Sequence, residues 1–142
     1  MEFALVGSAF LAMVLGILEI AFIIFAQVAL DYATSQSARQ LLTGNVNIAS
    51  GASQTAFQSA NFCGYLSGLI PCGNVLVTLQ PLQSNANFQT ALTSQAPPTG
   101  STTVNPGVGG SLMLLQAYYT PGLTLWPISA PTLVSSAAFM NE

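Results

Sequence analysis

Residues 3–30 read FALVGSAFLAMVLGILEIAFIIFAQVAL, and Glu19 is the only charged side chain among them. At about 1.5 Å per residue, a helix of this length exceeds the roughly 30 Å hydrocarbon core of a bilayer. It is long enough to span a membrane with some tilt. A secretory signal peptide is a poor match. Its apolar region is shorter, and a basic segment precedes it, whereas this chain opens with Met1-Glu2.

The helical pattern continues past the apolar run. Residues 31–43, DYATSQSARQLLT, contain neither Gly nor Pro, and Gly44 is the expected C-cap. Tyr32, Ala33, Ala38, Leu41 and Leu42 keep an apolar stripe between polar residues. A helix of roughly 40 residues is about 60 Å long and projects beyond one bilayer. We therefore expect a transmembrane and assembly helix over 1–44 and a separate α+β domain over 45–142.

Two features of the helix point to packing against other helices. Ser8, Ala12 and Gly16 recur every four residues and share one face, and small residues at that spacing let helix backbones approach closely in lipid. Glu19 extends the same stripe. An ionisable group inside an apolar run is expensive and faces protein or water. We expect an assembly contact at Glu19, the alternative being a side chain that snorkels to the bilayer edge.

Composition agrees with a chain covered by lipid or by copies of itself. Half of the 142 residues are hydrophobic and only 4% are charged, against roughly 25% in an average soluble domain. The chain has no His, and its only cation is Arg39. That removes most of the acid–base toolkit and the cations that phosphate neutralisation needs. We expect no enzyme activity, no cofactor and no nucleic-acid partner. No Walker loop, dinucleotide fingerprint or metal-ligand cluster is present. Serines are plentiful, but no His exists to activate one.

Composition changes after Gly44, and all eight prolines lie at or beyond Pro71. Residues 45–51 read as a connection. Residues 53–69 read as a second helix, capped by Ser53, with Phe57, Ala60, Tyr65 and Leu69 on its apolar face. The β-branched run 74–80 and the runs 111–120 and 132–141 read as three strands of an antiparallel sheet, covered on one face by helix. Residues 84–110 read mostly as an extended surface loop, with a short helical turn admissible over 85–93. Turn signals surround Trp126. Tyr118, Tyr119 and Trp126 read as sheet or interface packing rather than a ligand patch. Cys63 and Cys72 are read as a disulfide, the alternative being two buried thiols. Closing so short a loop is worth about 2.7 kcal/mol in the chain-entropy picture. Two thiolates alone cannot complete a zinc tetrahedron.

The opening MEFALVGSAFLAMVLGILEIAFIIFAQVALDYATSQSARQLLTG resembles the TadE-like pilin family of the tight-adherence, type IV-like pilus system. In that family a Glu-Phe pair opens a long apolar helix, matched by Glu2 and Phe3. A second Glu follows in a Gly-Ile-x-Glu-like run, matched by Gly16-Ile17-Leu18-Glu19, and an Ala-Arg pair near the helix end by Ala38-Arg39. The segment FCGYLSGLIPCGNVLVTL at 62–79 and the ending SSAAFMNE also resemble the family's pattern. The resemblance implies a minor pilin or pseudopilin inserted in the bacterial inner membrane, with a periplasmic domain, later found in a pilus or at the cell surface. It implies a prepilin peptidase, the pilus machinery and other pilin subunits or copies of itself as partners, and a role in adhesion and surface colonisation. In such families an acidic residue near the start contacts the terminal amine of a neighbour. Glu2 is the matching position, although it stands nearer the start than the family's glutamate.

Overall fold

The computed structural model describes residues 2–43, 57–66, 68, 70–82, 103–105, 110–122 and 131–140. The fold is α+β: one long apolar helix, a second short helix and an antiparallel sheet of three long strands, to which a short fourth is added. Helix α1 spans Glu2–Leu42 without a break. Its last turn closes with the Thr43 amide donating to the Arg39 carbonyl at 3.1 Å. The expected cap Gly44, the connection at 45–51, Ser53, residues 85–93 and Trp126 lie outside the described residues.

The second helix, α2, begins as a π-helix over Phe57–Phe62 and continues as an α-helical turn over Cys63–Tyr65. The expected inward face holds at Phe57, which is buried, and at Tyr65, which packs against the core; the Ala60 side chain and Leu69 lie outside the described residues. The wider π turn also brings Phe62, five residues from Phe57, into the core, where both are fully buried together with Leu66. Gly68 then adopts a left-handed backbone, φ 67°, which a side chain would resist. A 3-10 turn at Cys72–Asn74 leads directly into the sheet.

The long strands are β1 (Val75–Leu82), β3 (Leu112–Tyr119) and β4 (Leu133–Met140), with β2 reduced to Thr103–Val104. Their order is β2-β1-β3-β4. β1 and β3 pair antiparallel with Leu79 opposite Leu115, and β3 and β4 pair antiparallel with Leu115 opposite Ala137. β2 runs parallel to β1 and falls within the segment read from the sequence as a loop. Two residues carry too little pattern to announce a strand. Pro81 sits inside β1 at no cost to the ladder. It shares its parity with Leu79, whose carbonyl points to the β2 side and accepts from the Asn105 amide at 2.9 Å. The N–H that proline lacks therefore faces a side on which β2 does not extend.

Alternation within the strands creates the core. Val75, Val77 and Leu79 of β1 and Met113, Leu115 and Ala117 of β3 all face the helices. The C-terminal half of α1 lies on this face, against β4 and β3. It contributes Ala26, Leu30, Ala33 and Leu41 at three- and four-residue spacings. The opposite face is also covered at its centre, since Thr78, Leu114, Gln116 and Tyr118 are buried.

Candidate functional site

Helix α1 has two halves with opposite needs. From Ala26 to Leu41 one stripe is buried against the sheet. Before Ile23, which packs half-buried against the core, the described residues leave the helix largely uncovered. Val6 is 69% exposed, Met13 68%, and Phe10, Leu18, Ile20 and Ile24 are about as open. Helix α1 is long and apolar enough to cross a membrane. At roughly 25 cal/mol per Å2, leaving this many large apolar side chains in water is costly. A second environment, lipid or protein, has to take them.

Several polar contacts fix where the two halves meet. Gln27 donates from Nε2 to the Val134 carbonyl at 3.1 Å and to Asp31 Oδ1 at 3.2 Å. It ties the helix to the start of β4 one residue after the first buried position. Higher up, the Thr34 hydroxyl donates to the Leu30 carbonyl at 2.8 Å, inside the packed face. Gln40 donates to the Tyr65 hydroxyl at 2.5 Å, and the Tyr65 ring stands edge-on to Tyr32 with centroids 6.2 Å apart. These contacts dock α2 on the flank of α1. The expected disulfide is present between Cys63 and Cys72, whose Cα atoms are 5.7 Å apart. It ties the end of α2 to the turn that starts β1.

The residues singled out as an assembly surface fall mostly on the open half. Ser8 and Ala12 are exposed, while Gly16 and Glu19 are half-buried by their own helix neighbours. A Cβ built on Gly16 meets nothing within 4 Å. The chain's own packing therefore does not ask for glycine there. Glu2 and Phe3 lie in the first turn of α1, and their side chains lie outside what the structure describes. Glu19 has no hydrogen bond or ion pair among the described residues, and neither has the exposed Arg39 guanidinium.

Glu19, Ile23, Ala26, Leu30, Ala33 and Ser37 follow one another at intervals of three or four. The glutamate is thus in line with the face that carries the sheet, one stretch below it. Arg39 is on the opposite side, between the buried Ala38 and Leu41 in sequence but turned away from them. The sequence marked Glu19 as a contact and Arg39 only as part of a family motif, and it did not mark Gln27. The signal for Gln27 was an amide embedded in an apolar run. For Arg39 it was being the only cation in the chain.

Both tyrosines of β3 are buried, Tyr119 in the core and Tyr118 on the other face of the sheet. Tyr118 donates to Gln116 Oε1 at 3.2 Å, and burial pushes its phenol above the usual value of 10. They pack the sheet, as the strand pattern implied. Among the described residues no three His, Cys, Asp or Glu side chains gather as metal ligands would.

A family model described as TadE-like protein matches residues 1–39. The match takes in Glu2-Phe3, Gly16 to Glu19 and Ala38-Arg39, and it ends before the disulfide and the sheet. Over this helix the chain is similar to TadE-like proteins, which relates it to pilus-associated proteins. No curated protein and no solved structure matches the chain.

Proposed function

We propose that this chain is a pilin-like structural subunit of the TadE-like kind, acting in pilus assembly, adhesion and surface colonisation rather than in catalysis. The division of α1 carries the proposal. One half is finished by the chain's own sheet, and the other presents bare apolar side chains along about 30 Å of helix. A membrane takes that half first, and neighbouring helices take it after assembly. The rest of the chain then faces the periplasm and later the exterior. The bacterial inner membrane, the prepilin peptidase and the pilus machinery enter on the family likeness of residues 1–39. Chemistry has little foothold here, because the chain has no His and a single cation.

Electron microscopy of the full-length protein, freed from detergent, tests the proposal. Ordered filaments are expected, from this chain alone or with other pilin subunits. Discrete monomers or dimers under all these conditions would point instead to a membrane-anchored scaffold or binding protein that never polymerises.

A further inference from the structure

Glu19 and Arg39, the charges of α1 without a partner among the described residues, lie on opposite sides of the helix. Glu19 is on the sheet-bearing side, below the sheet, and Arg39 is on the back. They are twenty residues apart, about 30 Å along the axis and about 200° around it. Within one chain they can never meet. Between two chains running the same way they meet when one copy is lowered by that distance, its back set against the open front of the other.

Other residues have the same offset. Val28 and Tyr32 are the large apolar side chains on the back of the upper half, 61% and 53% exposed. Lowered by twenty residues, they come level with Ser8 and Ala12, as Arg39 comes level with Glu19. Large side chains on one face thus fall opposite small ones on the other at the same spacings, which is how two helices interdigitate. The space is also the right length. The lowered helix ends with its Leu42 level with position 22 of its neighbour, just short of Ile23, the first front residue that packs against the core.

The other carboxylates of the helix fit less well. Asp31 already accepts the Gln27 amide. An offset of eight residues would also set the lowered helix beside a front already taken by the sheet. Pairing with Glu2 would leave little more than the first turn of the helix overlapped.

We infer that Arg39 of one copy pairs with Glu19 of the next, fixing the register of a head-to-tail contact between second copies of this chain. It rests on the assembly reading above and adds the partner and the stagger. The contact uses different faces on the two copies and carries an axial stagger, so it does not close into a ring and propagates as an open helical array. It also gives Glu19 a partner once that carboxylate leaves lipid for a packed bundle.

The test places a photoreactive probe at the arginine. Arg39→Cys protein is labelled in detergent with a benzophenone maleimide; the native cysteines are already joined. A small fraction is assembled with excess wild-type chain, so that filament formation does not depend on the variant. After irradiation, mass spectrometry maps the crosslinked residue on the wild-type copy. Insertion is expected within one helical turn of Glu19. Insertion around Asp31, insertion elsewhere, or no product between copies overturns the register while filaments still stand. If the wild-type chain forms no filaments at all, the assembly reading fails with it, which is a different result.

Discussion

Gln27 Nε2 lies 3.1 Å from the carbonyl oxygen of Val134, so that the helix and the edge strand β4 are joined where the helix changes from bare to covered. Removing the amide leaves a part-buried carbonyl without its donor, at about 1–3 kcal/mol. Gln27→Leu should therefore lower stability by about 1–2 kcal/mol. Asp31→Asn, which touches only an exposed contact four residues away, should cost less than about 0.5 kcal/mol. Denaturant unfolding of the two variants in the same detergent checks the difference. Equal losses would mean that the Val134 contact contributes nothing.

Opening the disulfide should loosen α2 before it loosens the sheet. Cys63 and Cys72 enclose a short loop whose closure is worth about 2.7 kcal/mol. The same bridge holds Tyr65 at Gln40 and Tyr32. With Cys63→Ser and Cys72→Ser together, amide exchange should accelerate over Phe57–Phe62 and Cys63–Tyr65 first. The central strand β3 should stay protected to the global limit. Uniform acceleration across α2 and β3 would count against this order.

The long helix, the three long strands and the cysteine pair were legible because each rests on a repeated local signal. Apolar length marks α1, β-branched and aromatic runs mark the strands, and two cysteines leave one pairing. What escaped depended on tertiary context. The π turn of α2 is chosen by the need to bury Phe57 and Phe62 together, which no helical periodicity announces. β2 exists because the β1 edge offers the Leu79 carbonyl to the Asn105 amide, and two residues cannot declare that. Buried polar residues were hidden for the same reason. Thr78, Gln116 and Ser135 look like solvent-facing strand positions, yet all three are buried. The assembly face was half legible. Glu19 stood out as a charge in an apolar run, while the position of Arg39 behind the helix became meaningful only once the sheet fixed which side was the front.

The pH dependence of stability should carry a signature of Tyr118. Burial raises its folded-state pKa above 10, so the native state keeps the phenol proton at a pH where the unfolded chain has begun to lose it. The stability this group contributes is complete below about pH 10 and is lost as pH climbs through the raised folded value. Tyr118→Phe should remove that part of the slope, with some loss at neutral pH because Gln116 Oε1 loses its donor. Unfolding measured from pH 8 to 12 compares the two slopes. An identical slope in the variant would show that Tyr118 is not the group responsible.

The bare half of α1 should tolerate no charge at its middle, wherever it resides. Ile17 is 56% exposed and lies near the centre of the uncovered stretch. An arginine at the centre of a membrane helix costs about 2.5–3.5 kcal/mol on insertion scales. In a filament it would face packed apolar neighbours, so the penalty persists after lipid is left behind. Ile17→Arg should therefore reduce the membrane-bound fraction and abolish ordered filaments. Ser35→Arg should leave membrane insertion intact, because that exposed position lies nine residues beyond Ala26, on the covered half of the helix. Fractionation of expressing cells, followed by imaging of the assembled material, reads both steps. A fully inserted, filament-forming Ile17→Arg chain would mean that the open apolar half of α1 is neither the anchor nor the packing surface.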